Sequence, residues 1–454
     1  MKFTELSLEI VDMALPDGYG VGRKDGFVFF VPGAVPGDRL KIKVTGQKKR
    51  FSYGEIFEIE EPSPDRRQPP CPYFGLCGGC TLQHMSYRKQ LEVKERHLVQ
   101  TLARIGHMDT ASIAMLPIVP SPQHYFSRNK VEMAFGKDEY GLIAGLREGA
   151  WQKMDYEGKV ISLGKCLAFS DCVEKILPPI LDFFNGHRFL SYDQATKKGL
   201  LRRLVLKESK TTDEVMVILE TSRGILPNMQ DLWRMLSNKA PEVVSLWRAI
   251  NTRRSDAGLY EKKEHLFGKR FIEESLGGLT FRIYPQSFFQ PNSRIAETLY
   301  QAAMELGQPG PQDRVLGLYC GMGPIEMMFS RRTNKVTGVD SNPDNIANAR
   351  ENARINGIEN CIFIEGMVER VGSRLPAKPE ILVIDPPRGG ISNKGCDLIA
   401  RIEPGKIVYV SCNPSTLARD LNNLTKYGYV LRKVVPFDAF PQTGHLETVA
   451  LVER

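Results

Sequence analysis

From about residue 290 onward the chain alternates short apolar runs with helical stretches, and this pattern constrains the fold more than any other feature. Strand-like runs occupy 314–319, 335–340, 361–365, 380–385, 406–411, 429–435 and 446–452. Runs of that length separated by amphipathic stretches build βαβ units, in which parallel strands carry helices on both faces. The spacing predicts a doubly wound α/β domain over 286–454. Ligands of such sheets bind at the carboxyl ends of the strands, so the residues just after each run are the first candidates for chemistry.

The rest of the 454 residues is too long to share that one core, so two or three domains are expected. Residues 1–61 alternate apolar and polar positions in Leu6–Ile10, Phe27–Val31 and Leu40–Val44, with Gly and Pro turns between, as in a small β-barrel. Arg39, Lys41, Lys43, Lys48, Lys49 and Arg50 form a basic run with Phe51 and Tyr53 just beyond. Such a surface is suited to follow a phosphate backbone and stack bases, or is simply a solvated barrel face. The stretch 61–70, rich in Pro and charge, reads as a linker that does not pack. Leu91, Leu98 and Leu102 mark an amphipathic helix over 87–105, and mixed strand and helix patterns make 62–285 a central α+β domain.

A net charge of +8 favours a polyanionic partner. No apolar stretch approaches the roughly 18 residues of a membrane span, and Glu5, Glu9 and Asp12 stand where a signal peptide needs a basic and then apolar run. A soluble, cytoplasmic, monomeric protein with no membrane partner is expected.

After the first strand of the α/β region come Cys320-Gly321-Met322-Gly323, and Asp340 ends the second strand. Glycines there let the backbone approach a ligand, and the acid can accept hydrogen bonds from a ribose diol. The third Gly of a dinucleotide fingerprint is absent, its position being Glu326. With Asp385-Pro386-Pro387-Arg388 at a later strand end, the order fits S-adenosylmethionine better than a nicotinamide. Arg388 stands where enzymes that methylate exocyclic amines place an aromatic residue, which disfavours that reaction.

Cys412, in Ser411-Cys412-Asn413-Pro414, directly follows the run 406–410. Alone it reads as a buried structural cysteine; beside Asp385 and a cofactor turn it reads as a nucleophile. Methylating C5 of a pyrimidine requires an electron-rich C5, which thiolate attack at C6 provides by forming an enolate. The C5 proton must then leave, and this calls for a general base. Glu447, at the start of the final strand, fits that role or is an exposed strand-end carboxylate; His445 is the weaker alternative.

Ser-Phe-Phe-Gln-Pro-Asn (287–292), Leu-Tyr-Cys-Gly-Met-Gly (318–323), Asp-Pro-Pro-Arg-Gly-Gly (385–390), Ser-Cys-Asn-Pro-Ser-Thr (411–416) and His-Leu-Glu-Thr-Val-Ala-Leu (445–451) together resemble the RNA uracil-5-methyltransferase family, and the likeness covers nearly the whole chain. The resemblance implies a Rossmann-like methyltransferase domain, a TRAM barrel over 1–61 and an iron–sulfur site in 62–285. Cys412 then matches the nucleophile and Glu447 the base, while Gln290, Tyr319, Gly321, Gly323, Asp340 and Asp385 match the S-adenosylmethionine site. Pro324 and Met367 depart from polar residues common in the family. A cytosine-5 methyltransferase would place its nucleophile in a different Pro-Cys or Thr-Cys context.

Cys71, Cys77 and Cys80 follow a C-x5-C-x2-C spacing with Gly78 and Gly79 between the last two. Four thiolates bind either zinc or a [4Fe-4S] cluster. The resemblance implies the cluster, with Cys166 as fourth ligand and Cys172 as its rival. The spacing differs from that of radical S-adenosylmethionine enzymes, so the centre is expected to shape the RNA-binding region without entering methyl transfer. The implied partner is structured RNA, 23S ribosomal RNA ahead of transfer RNA. A catalytically impaired RNA-binding or assembly factor is the competing class.

Overall fold

The computed structural model describes residues 5–149, 158–253, 260–372, 375 and 378–454. Five strands close into a barrel in the order Glu5–Ala14, Tyr19–Lys24, Phe27–Pro32, Phe51–Glu61, Arg39–Gln47. Strict alternation is the cause: Leu6, Leu8 and Ile10 point inward with Phe29, Val31, Leu40 and Ile42, while the residues between them face out. On the outside Tyr19, Phe30, Phe51 and Tyr53 cluster, edge to face except for the tilted Phe30–Tyr53 pair, with ring centroids 5.7 to 6.5 Å apart.

The supposed linker packs, contrary to the sequence expectation. Asp38 is fully buried, and its carboxylate accepts from the Ser63 amide at 2.8 Å and from Arg66 Nε at 3.1 Å. A buried carboxylate requires such partners, so it draws 63–66 onto the barrel despite the prolines. Asp65 in turn accepts from Ser86 Oγ, the N-cap of the helix Tyr87–Arg104.

A seven-stranded sheet follows in the order Lys262–Gly268, Val243–Ile250, Val215–Thr221, Leu201–Glu208, Lys130–Lys137, Leu142–Arg147, Val160–Ser162. Helices Cys172–Gly186 and Met229–Lys239 cover one face. The opposite face, through Val205, Met216, Ile218, Trp247 and Ala249, joins the core of the α/β sheet. The middle and final regions are therefore packed against each other.

The α/β sheet has eight strands: Cys361–Glu365, Lys335–Asp340, Arg314–Leu318, Ile381–Ile384, Lys406–Ser411, Glu447–Glu453, Val430–Phe437 and, at the edge, Ala114–Met115. Only Glu447–Glu453 runs antiparallel to its neighbours. The order reverses between Arg314–Leu318 and Ile381–Ile384, which is the switch point where such sheets open a ligand crevice. The edge strand comes from the middle region and pairs with Lys433 and Val434. Among the described residues, no helix is long and apolar enough to cross a membrane.

Candidate active site

The glycine turn is shaped by contact as well as by conformation. Gly323 has φ +81°, and a Cβ there would stand 2.6 Å from the Phe363 ring. A Cβ on Gly321 would meet nothing within 4 Å, so its backbone faces open space. Asp340 braces the turn, accepting from the Gly321 amide at 3.0 Å, the Asn342 amide at 2.8 Å and Asn345 Nδ2 at 3.2 Å. Tyr319 holds φ +62°, an uncommon value for a side chain this large. Pro324 occupies the first turn of the helix Pro324–Phe329, where its missing N–H removes no helical bond. Met367 is half-exposed beyond the strand Cys361–Glu365.

The sequence-predicted residues meet at one edge of the sheet, Asp385 and Cys412 just after the carboxyl ends of their strands and Glu447 at the start of the antiparallel final strand. Ser411 pairs with Thr448, so Cys412 and Glu447 lie one rung further along the same antiparallel ladder. Asn413 caps the following helix and donates to the Arg388 carbonyl at 3.2 Å, tying the two loops at adjacent strand ends. Gln290 Nε2 donates to Asp385 Oδ2 at 3.3 Å. Burial pushes the Cys412 thiol up to about 12; the charges of Glu447 and Asp385 add to this and Arg388 opposes it.

Three acids at this site are raised, each chiefly by burial. Asp385 rises to about 7 and Glu326 to about 8, and Glu447 lies well above the carboxylate range. Neighbouring negative charge contributes at Glu447, from Asp385, and at Glu326, from Asp385 and Asp340. Acids that repel one another out of water favour a cation among them. A sulfonium with an α-ammonium group suits such a site. His445 is pushed down to about 4 by burial and by Arg388, Arg128 and Lys94, which makes it the poorer base.

Phe440 and Arg388 line a cavity of about 370 Å³ together with Cys71, Cys77, Cys80 and Cys166. Burial raises the Cys77 and Cys80 thiols to about 12 and about 11, and the thiols raise one another. Gly79 N–H donates to Cys77 Sγ at 3.4 Å. Four thiols on one cavity are a chemically suitable donor set for a metal centre, yet among the described residues no group of three or more is set at metal-holding distance. Cys172 instead packs into the helix-covered core of the central sheet.

Sequence reasoning missed several polar residues at the site. Arg128 lines the cavity and lowers the Cys80 thiol. Lys94 and Asp438 form a fully buried ion pair at 2.5 Å. Lys207 directly follows the apolar run Leu204-Val205-Leu206 within the strand Leu201–Glu208, and no local pattern marks its burial.

A family model described as tRNA (Uracil-5-)-methyltransferase matches residues 257–454, and a TRAM domain model matches residues 1–57. An uncharacterized RNA methyltransferase of Halalkalibacterium halodurans is 35% identical over 440 residues, covering 96% of this chain and 94% of that one. One from Caldanaerobacter subterraneus is 36% identical over 441 residues, covering 96% of each. The solved structure of Pyrococcus abyssi tRNA (uracil-54, C5)-methyltransferase in complex with S-adenosyl-L-homocysteine is similar, with a TM-score of 0.76 and 30% identity. The match covers 98% of this chain and 99% of that one.

Proposed function

The chain belongs to the RNA uracil-5-methyltransferase family and is an S-adenosylmethionine-dependent enzyme, and from that premise we propose that it methylates uridine C5 through a covalent Cys412 adduct. The carrying observation is that Cys412 and Glu447 stand opposite each other one step beyond the Ser411–Thr448 pair, each sensed electrostatically by the other groups of the site. Gln290, Tyr319, Gly321, Gly323, Asp340 and Asp385 hold the cofactor, which supplies an electrophilic methyl group when bound.

The target uridine must leave its stack, because C5 and C6 are approached face-on. Cys412 passes its proton to solvent and its sulfur bonds to C6; the resulting C5 enolate takes the methyl group, and the donor sulfur keeps the electron pair of the broken bond. Glu447 then removes the C5 proton, and the C6–S bond breaks to release the product. A thiol near 12 and a buried acid are poorly ionised at rest. A positive charge held among these acids would lower both, so the pair is expected to be activated in the loaded site. The test is RNA carrying 5-fluorouridine, which has no C5 proton to lose. Wild type should form an adduct dependent on cofactor, and Cys412→Ala none; adduct formation by the variant sinks the mechanism.

The barrel 1–61 and the central region 62–285 are read as RNA-binding units ahead of the methyltransferase unit 286–454. Cys71, Cys77, Cys80 and Cys166 hold a [4Fe-4S] cluster in this reading, supported by their shared cavity. Its role is structural, and no step of methyl transfer passes through it. Anaerobic reconstitution should load about four irons per chain, and markedly fewer in Cys166→Ala. The cysteine-bearing central region makes 23S ribosomal RNA the first substrate to test. The similarity to a transfer RNA (uracil-54) enzyme favours transfer RNA as a second reading. Mapping 5-methyluridine in both RNAs from a deletion strain decides between them.

A further inference from the structure

The segment 284–292 carries Gln290 into the cofactor site, but much of its backbone is held by the central sheet. Lys207, nearly fully buried on the strand Leu201–Glu208, donates from Nζ to the Tyr284 carbonyl at 2.9 Å and the Ser287 carbonyl at 2.7 Å. Asn129, just before the adjacent strand Lys130–Lys137, donates from Nδ2 to the Gln290 carbonyl at 2.7 Å and to Ser293 Oγ at 3.0 Å. Its own amide donates to the Pro291 carbonyl at 2.7 Å. The two residues are neighbours across the sheet, because Lys130 pairs with Lys207.

Enclosing an ammonium group among apolar neighbours costs folding energy unless its hydrogens are used. Burial lowers the Lys207 pKa well below the lysine range, Lys130 lowers it further, and Glu132 offers only partial compensation. Leucine or methionine would fill the same strand position without that cost. What Lys207 adds is a pair of strong bonds to two carbonyls that have no strand partner. From the other side, Ser287 Oγ accepts from the Tyr284 amide at 3.0 Å and donates to Asn348 Oδ1 at 2.6 Å. The segment is thus braced by the central sheet on one side and by the helix Pro343–Ile355 on the other, and Gln290 reaches Asp385 from a fixed backbone.

We infer that Lys207 and Asn129 are positioning residues for the cofactor, setting from the central sheet the segment that presents Gln290. They touch neither cofactor nor reacting atoms in this reading. The same two side chains line the cavity shared with Arg128, Lys130 and Arg388. A nucleotide entering that cavity would therefore bear on the residues that hold the cofactor segment.

This inference rests on the S-adenosylmethionine site proposed above. Wild type should first be titrated with S-adenosylhomocysteine by calorimetry; failure to bind there would dispose of the site, not of the brace. With wild-type binding in hand, Lys207→Met and the isosteric Asn129→Asp should each weaken S-adenosylhomocysteine at least tenfold. Both should raise KM for S-adenosylmethionine by a similar factor with kcat changed less than threefold. Amide hydrogen exchange should accelerate across 284–292 and stay unchanged in the helix Pro414–Thr425. A merely structural role would lower melting temperature and leave the affinity of the folded protein intact. Wild-type affinity with unchanged exchange in Asn129→Asp, the variant expected to fold, overturns the inference.

Discussion

Replacing Glu326 by glutamine should make the cofactor-free protein more stable, and increasingly so as pH rises. Glu326 is buried on the short helix after the glycine turn, and one of its carboxylate oxygens has no hydrogen-bond partner. Its side chain fills the space beside Gly317, where a Cβ would collide with it. Burial, with Asp385 and Asp340 nearby, moves its pKa from 4.5 to about 8. An acid raised on folding favours the native state while protonated. That contribution is full below about pH 4.5 and is lost as pH climbs through the window to about 8. Each unit in the window is about 1.4 kcal/mol, so between pH 5 and pH 8 wild type should lose about 3 kcal/mol through this group. Glutamine has no such window. Urea unfolding of both proteins at four pH values, without cofactor, gives the difference directly. It should widen by about 3 kcal/mol from pH 5 to pH 8; a constant gap would refute a buried, neutral Glu326.

Other outcomes follow from the same geometry. At pH 8 the apo Cys412 thiol, near 12, should carry on the order of 10³-fold less thiolate than a free cysteine. Mass-spectrometric monitoring of iodoacetamide labelling should show Cys412 reacting far more slowly than glutathione. Arg388→Gln should slow it further, and glutathione-like labelling would contradict the burial. Lys94→Met leaves Asp438 buried without its cation and should cost about 3 to 5 kcal/mol in urea unfolding. Pairing it with Asp438→Leu should recover most of that loss. Gly444→Ala drives a methyl group against the Pro16 carbonyl and should cost about 1 to 3 kcal/mol. It should also lower kcat, since Glu447 follows three residues later; unaltered kcat would mean the loop is slack.

The strands of the α/β region were legible from 314 onward because buried parallel strands are continuous apolar runs. The barrel was legible only in part. Tyr19–Lys24 hides its alternation behind Gly20 and Gly22, and Phe51–Glu61 ends in outward-facing acids. The packing of 63–66 depends on Asp38, a carboxylate whose burial no local pattern announces. Cys412 and Glu447 were each visible in their motifs. Their adjacency was not, because it comes from the antiparallel entry of the last strand, a long-range pairing. Lys207 and Asn129 act on carbonyls distant in sequence, and carbonyls leave no signature in side-chain patterns.

The loop Asp438–Leu446 runs directly into Glu447, and it is held almost entirely from outside its own sheet. Gln442 exchanges hydrogen bonds with Gln90 and accepts from the amides of Thr81 and Leu82. Gly444 donates to Thr81 Oγ1 at 3.2 Å and abuts Pro16, and Lys94 grips Asp438 and the Phe440 carbonyl. The practical consequence concerns modularity. An isolated methyltransferase fragment, or a chimera with a foreign barrel, would keep every residue of the proposed reaction and still lack the mould in which Glu447 is set. Interchange of parts in this architecture has to preserve the seam at Pro16, Thr81, Gln90 and Lys94, so retargeting is more accessible through the outer barrel surface than through exchange of whole domains.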